Sequence, residues 1–114
     1  MSRLNEWTLA QALDVCREIE HVIAPVGFHV GLRGSLLLNG ESNNDLDLII
    51  YPHDSTSVCL DNVYDALYSI GVVQLKTKEQ VHARWRAKGS TDEKHIEIWG
   101  YVRRKVDILF VGIP

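Results

Sequence analysis

Two aspartates stand two residues apart at the start of an apolar run, in the segment NGESNNDLDLIIYP. Side chains alternate along a β-strand, so Asp45 and Asp47 share one face and lie about 7 Å apart along the backbone. Carboxylates placed in this way repel each other, and burial increases the cost. A divalent cation relieves the repulsion, and oxygen ligands favour Mg²⁺ or Mn²⁺ over zinc.

A third aspartate interrupts another apolar segment. Asp107 is the one polar residue in VDILFV and lies near its start. If this strand pairs beside the strand at residues 45–51, three carboxylates meet at one end of a sheet. Three acids that hold metal ions roughly 3.5–4 Å apart are the arrangement used for in-line displacement at phosphorus.

The pair Gly34-Ser35 follows a predicted strand and supplies the other half of such a site. Backbone N–H groups at a strand-to-helix turn can hold phosphate oxygens, glycine permits close approach, and serine adds a hydroxyl. By position, Arg33 beside Gly34 and Lys105 near Asp107 are weaker candidates for phosphate contacts.

Each motif also has an ordinary structural interpretation when it is taken alone. Asp45 and Asp47 could mark a solvated strand entrance, and Asp107 could be a charge that protects an edge strand. Gly34-Ser35 could be a turn with a serine cap. The three motifs together favour the metal and phosphate site.

Length and composition limit the classes of protein that need considering. The 114 residues suit one domain, residues 1–114, and 46% hydrophobic residues can form a core. The net charge of −3 argues against binding of duplex nucleic acid, although a small nucleotide with a metal is compatible with it. The segment MSRLNEW lacks the apolar region of a signal peptide, and no apolar run is long enough for a membrane span. We therefore expect a cytoplasmic protein without a membrane partner.

Hydrophobic periodicity predicts the secondary structure. Thr8 and Gln11 form a predicted capping box, and Ser55 or Ser57 is expected to cap the second helix. The predicted order is helix 8–23, strand 28–33, strand 45–51, a helix from 55 or 57 to 70, then strands 72–76, 81–88, 96–102 and 106–111. The consecutive late strands predict antiparallel hairpins and an α+β fold.

The late strands carry further candidate residues whose role stays open. One face of the predicted strand 81–88 is basic; it could neutralise a triphosphate, line an RNA path or be the wet face of an exposed strand. It comprises His82, Arg84, Arg86 and Lys88. Trp99 and Tyr101 could stack on a base or pack against the first helix. Cys16 and Cys59 occupy apolar positions of helical patterns, so both thiols are predicted to be buried.

Gly34-Ser35, Asp45-Leu46-Asp47 and the later Asp107 on an apolar strand together resemble the nucleotidyltransferase superfamily that includes DNA polymerase beta. The small size is similar to its minimal, stand-alone bacterial and phage members. The resemblance implies a mixed β-sheet with helices packed on one face. It also implies an enzyme that moves a nucleoside monophosphate from an NTP to an acceptor hydroxyl with Mg²⁺ (or Mn²⁺), releasing pyrophosphate.

The resemblance assigns roles to individual residues. Asp45 and Asp47 would bind both metal ions. Asp107 would bind the catalytic metal and help to activate the acceptor hydroxyl. Gly34 and Ser35 would hold the triphosphate of the NTP, such as ATP. The acceptor (protein, RNA or small molecule) stays open.

A second class of function is also compatible with the resemblance. Some small relatives are antitoxins that pair with a helical HEPN toxin, so the same fold could be a regulatory binding module with weak or no catalysis. The sequence therefore predicts either a minimal nucleotidyltransferase or such a module with a partner protein.

Overall fold

The computed structural model describes residues 7–34, 41–42, 46–54, 59–102 and 104–113. Several predictions fall outside these residues. They concern Ser35 and Asp45 of the candidate site and the serine caps at Ser55 and Ser57.

The first helix, α1 (Leu9–Ile23), follows a short strand β1 (Trp7–Thr8) and begins at the predicted capping box. The Gln11 N–H donates to Thr8 Oγ1 over 3.2 Å, and the Thr8 N–H donates to Gln11 Oε1 over 3.0 Å. The helix ends in a 3₁₀ turn, Ala24–Val26, and Gly27 leaves it with a left-handed φ of 90°. Its buried positions recur at helical spacing, at Ala12, Val15, Ile19 and Ile23.

Five strands form the main sheet in the order β2-β4-β7-β6-β5. A separate short strand, β3 (Glu41–Ser42), pairs with β1. The main strands are β2 (Phe28–Arg33), β4 (Leu46–Pro52), β5 (Val73–Lys76), β6 (Ile96–Tyr101) and β7 (Arg104–Phe110). β4 and β7 are parallel, whereas the other neighbouring pairs are antiparallel. The sheet is thus mixed, and the predicted α+β class is confirmed. Of the predicted late hairpins, β6 and β7 form one, whereas β5 and β6 are antiparallel neighbours that are connected through a helix.

One face of the sheet forms the hydrophobic core. Side chains alternate along β4 and β7, and every second one is buried: Leu46, Leu48, Ile50, Val106, Ile108 and Phe110. Helix α2 (Leu60–Ser69) contributes Val63 and Leu67 to this core and packs beside α1. Residues such as Asp47 and Asp107, which alternate with the buried ones, therefore lie on the opposite face.

The predicted strand at residues 81–88 is wrong, because this segment is part of helix α3 (Lys78–Ala87). Thr77 begins the helix with a capping box: the Gln80 N–H donates to Thr77 Oγ1, and the Thr77 N–H donates to Gln80 Oε1. The predicted basic face does not exist as proposed, because a helix turns 100° per residue. His82 and Arg86 fall on one side, and Arg84 and Lys88 on another.

The thiol prediction is wrong for Cys59, which is exposed at the N-cap of α2 and makes no side-chain capping bond. Cys16 is half-buried on α1, and burial raises the pKa of its thiol to about 11. Because the thiolate is the reactive form of cysteine, the two residues should differ strongly in reactivity.

Iodoacetamide at pH 8 should therefore alkylate Cys59 and spare Cys16 until the protein unfolds. We expect Cys16 to react at least about 100-fold more slowly than an ordinary exposed thiol, because little of it is thiolate at this pH. Intact-mass and peptide mass spectrometry would measure the rates. Cys59→Ser should abolish the fast phase and Cys16→Ser should preserve it; the reverse pattern would contradict the burial of Cys16.

A buried carboxylate joins three elements beneath the sheet. Glu97 on β6 is 1% exposed. Its Oε1 accepts from the Gln74 amide over 2.8 Å and from the Trp99 indole over 3.1 Å. Its Oε2 accepts from the Tyr64 hydroxyl over 2.5 Å and lies 2.7 Å from His95 Nε2. Burial, reinforced by the bond to Glu97, raises the pKa of Tyr64, so the phenol stays a donor.

Glu97→Gln should lower the free energy of unfolding by about 1–3 kcal/mol, because the new NH₂ group cannot accept from two of the donors. Urea denaturation would measure the change. Glu93→Gln, at an exposed position in the loop before β6, is the matched control and should change it by less than about 0.5 kcal/mol. Equal stability of the two variants would show that the Glu97 network does not stabilise the fold.

In the described part of the chain, no helix combines the length and the apolar character needed to cross a membrane.

Candidate metal-binding site

The parallel pairing of β4 and β7 places two of the predicted site residues directly opposite each other. Asp47 and Asp107 are Cα partners in the register of the two strands. Neighbouring strands lie about 4.8 Å apart, so the two carboxylates share one small area. Both residues are partly exposed, although Asp107 Oδ1 is itself buried. The predicted juxtaposition of Asp47 with Asp107 at one end of the sheet is therefore present.

The backbone of Gly34 presses against the same carboxylate. A Cβ atom at Gly34 would lie 2.5 Å from Asp47 Oδ2 and 3.2 Å from Asp47 Cβ. Gly34 also has a left-handed φ of 84°, which disfavours any side chain. This position therefore needs glycine for two reasons, and the backbone of the turn comes close to the acid that would bind a metal.

Asp47 and Asp107 belong to a row of Cα partners that crosses the sheet from β2 to β5. Arg33 is the Cα partner of Asp47 on one side. On the other side, Ile98 faces Asp107, and Lys76 on β5 faces Ile98. The row thus places a cation near each end and two acids between them. Arg33 was named from the sequence, whereas Lys76 was missed.

Nothing in the local sequence around Lys76 marks it as a site residue. Its place in the row depends on an irregularity between Gln74 and Lys76, where the register of β5 against β6 shifts. Such bulges re-aim side chains. The position of Lys76 relative to Asp107 follows only from strand pairing that is distant in sequence.

The remaining predicted residues fall into two groups. Lys105 is exposed and lies two residues before Asp107, so it is on the same face of β7. Ser35 and Asp45 lie outside the described residues, and their expected roles stay predictions.

The two aromatic residues pack rather than present a surface for base stacking. Trp99 is 0% exposed and lies against the rings of Tyr64 and Tyr68 on α2, each with ring centroids 5.5 Å away. The Tyr101 hydroxyl donates to Glu18 on α1. Packing against the first helix was one of the two predicted alternatives. Tyr101 contacts that helix, whereas Trp99 packs on α2 and is not available to stack on a base.

The chemistry of the donor set fits a hard divalent cation. Asp47 and Asp107 supply carboxylate oxygens only, which suits Mg²⁺ or Mn²⁺. Among the residues that the structure describes, no three histidine, cysteine or acidic side chains form a ready-made metal group. The expected third carboxylate, Asp45, is not among those residues. The site as described is therefore one acid pair with a glycine turn against it.

Two comparisons with known proteins give no relatives. No model of a known protein family matches the sequence, and no curated protein matches it.

Gly34→Ala should destabilise the protein more than Gly89→Ala. Both residues have a left-handed φ, of 84° and 83°, but a Cβ at Gly89 meets nothing within 4 Å. Each change should cost about 1–2 kcal/mol through the backbone, and the contact with Asp47 should add to the cost at Gly34 alone. Urea denaturation would measure both free energies of unfolding.

The same measurement in an Asp47→Ala background separates the two causes. Truncation of Asp47 to alanine removes the 2.5 Å contact but keeps Cβ, so it should remove most of the extra cost of Gly34→Ala and leave the cost of Gly89→Ala unchanged. If Gly34→Ala and Gly89→Ala are equally destabilising in the wild-type background, the turn does not press on the carboxylate.

Proposed function

We propose that this protein is a Mg²⁺-dependent nucleotidyltransferase, which moves a nucleoside monophosphate from an NTP to an acceptor hydroxyl and releases pyrophosphate. The observation that supports it best is the placement of Asp47 opposite Asp107, with the backbone of Gly34 against Asp47. A metal site beside a glycine turn is what transfer at phosphorus needs.

The acids would act by binding and positioning. Asp47 and Asp107, with Asp45, would hold Mg²⁺, which supplies charge neutralisation at the reacting phosphate when it is bound. Asp107 would also orient the acceptor hydroxyl and favour loss of its proton. No covalent intermediate with the protein is required, because transfer of this kind depends on positioning and electrostatics.

The turn and the neighbouring cations would hold the triphosphate. Gly34 and Ser35 would offer backbone N–H groups, since a glycine permits a phosphate to approach closely. Arg33 lies opposite Asp47 and would neutralise phosphate oxygens near the metal. Lys105, on the same face as Asp107, would make a weaker, more exposed contact.

The decisive experiment is a calorimetric titration of ATP and other NTPs in the presence of Mg²⁺ and again in EDTA. We expect binding that requires the metal and that weakens at least tenfold in Asp47→Asn and in Asp107→Asn. Asp14→Asn is the matched control, because its side chain is 75% exposed and α1 packs on the core face of the sheet, opposite to the acid pair. Its affinity should equal that of the wild type.

Folding of the variants must be checked in parallel by urea denaturation. Asp107→Asn should fold normally and be slightly more stable without metal, because the change removes like-charge repulsion across the strands. Unfolding of this variant would instead mark Asp107 as a structural residue.

Turnover distinguishes the enzyme from a regulatory binding module. NTP labelled in the α-phosphate is incubated with cell extract and the protein. It should label an acceptor and release pyrophosphate with the wild type, but not with Asp47→Asn or Asp107→Asn. Metal-dependent binding without any labelling would favour the binding module with a partner protein. Absence of metal-dependent NTP binding in the wild type would refute the proposed enzyme.

A further inference from the structure

A second cluster of polar side chains lies at the other end of β4, away from the acid pair. His53 lies six positions after Asp47, which in extended chain is a span of about 20 Å. There, His29 Nδ1 is 2.7 Å from Glu20 Oε2, and His29 Nε2 is 2.9 Å from His53 Nδ1. Three residues that are distant in sequence thus form one continuous chain of contacts.

The carboxylate at the start of this chain is held by hydrogen bonds on both of its oxygens. Glu20 Oε1 accepts the Val30 N–H over 3.0 Å. The side chain of glutamate is ionised at neutral pH. An ionised carboxylate can only accept, so His29 Nδ1 carries the hydrogen and donates to Glu20.

In the neutral tautomer with this assignment, His29 Nε2 carries a lone pair and lies 2.9 Å from His53 Nδ1. A histidine whose other nitrogen donates to a carboxylate is the usual arrangement at protein metal sites, because it fixes the tautomer and the ring orientation and makes the ligand more basic. Without a metal, His53 Nδ1 donates its hydrogen to that lone pair, so His53 binds a metal through Nδ1 in its other tautomer.

We propose that His29 Nε2 and His53 Nδ1 together bind one divalent transition-metal ion of the Zn²⁺ class, with Glu20 as the residue that positions His29. Imidazole nitrogens suit zinc, copper and nickel, whereas the acid pair at the other end of the sheet suits Mg²⁺. The site is independent of the proposed transferase activity.

The distance between the nitrogens is close to what one shared ion requires. Two nitrogens at about 2.0–2.1 Å from a tetrahedral ion are separated by about 3.3 Å. The side chain of His53 is exposed, so its ring can rotate by the small amount needed. Its backbone is fixed by a 2.7 Å hydrogen bond from the His53 N–H to the Gly27 carbonyl.

The surroundings leave room for the other ligands of the ion. His29 and His53 line an open cavity of about 520 Å³, together with the turn at residues 24–27 and Asp54. Within the described ranges no third histidine, cysteine or carboxylate completes a ready-made group. Water therefore fills the remaining positions, and the ion would be exchangeable rather than a closed structural centre.

The test is a calorimetric titration of the untagged protein with Zn²⁺ in the Asp47→Asn, Asp107→Asn background, which removes binding at the acid pair. We expect one ion per chain. His53→Ala should weaken binding at least tenfold, and its exposed position makes it the decisive variant. His29→Ala should do the same, and Glu20→Gln should weaken binding about tenfold through loss of positioning.

His21→Ala is the matched control, because His21 is an exposed histidine on α1, outside the cluster. It should leave the affinity unchanged. Titration with Co²⁺ gives a second readout, since the visible d–d absorption of this ion changes when imidazole nitrogens bind it. That change should vanish in His53→Ala. Equal Zn²⁺ affinity in the background protein and its His53→Ala variant would overturn the proposal and leave the pair as a shared-proton contact only.

Discussion

The parallel pairing of β4 with β7 places two like charges, Asp47 and Asp107, side by side on one face of the sheet. The core determines the register that does so. Leu46, Leu48 and Ile108 are fully buried on one face, so the alternating acids must point to the other. A slip of one residue would move Asp47 into the core and the leucines out of it. Burial of the apolar face therefore maintains an arrangement that is electrostatically unfavourable by itself.

The repulsion is tolerable because of where the acids lie. Asp47 and Asp107 are both partly exposed, so water screens part of the pair, although Asp107 Oδ1 is itself buried. Arg33 lies beside Asp47 in the sheet and adds an opposite charge. The turn at Gly34 then limits the space around Asp47, so the carboxylate is confined between a neighbouring acid and a backbone that has no side chain. A cation that binds there would meet a pair already positioned.

The elements around this pair were predictable because their sequence signals are strong and local. The capping box at Thr8 and the apolar strands need only short-range patterns. Helix α3 was missed since Val81, Ala83, Trp85 and Ala87 alternate as in a strand, although only Val81 is buried. The local signal that decides the segment is Thr77 followed by Gln80, which precedes the alternating run.

Features that depend on long-range pairing were beyond the sequence. The alternation in β6 does not say which face is inward, and the inward face carries Glu97 and Trp99 rather than the two isoleucines. A buried Glu97 is tolerated there because four side chains hydrogen-bond to its carboxylate. They are Tyr64 on α2, Gln74 on β5, Trp99 on β6 and His95 just before β6. In the same way, the place of Lys76 in the row that contains the acid pair, one strand beyond Ile98, follows from a register shift. Asp47 and Asp107, by contrast, could be paired from sequence because each interrupts an apolar strand.

Glu20 has a consequence for the behaviour of the protein in concentrated solution. β2 is an outer strand of the sheet, and a bare outer strand offers its N–H groups to another chain. The side chain of Glu20 already occupies the Val30 N–H, which points away from β4. A carboxylate from α1 thus takes the place of a foreign strand and adds a negative charge at this margin. Glu20, which orients His29, therefore also disfavours pairing of β2 with a strand of another molecule and the aggregation that such pairing causes.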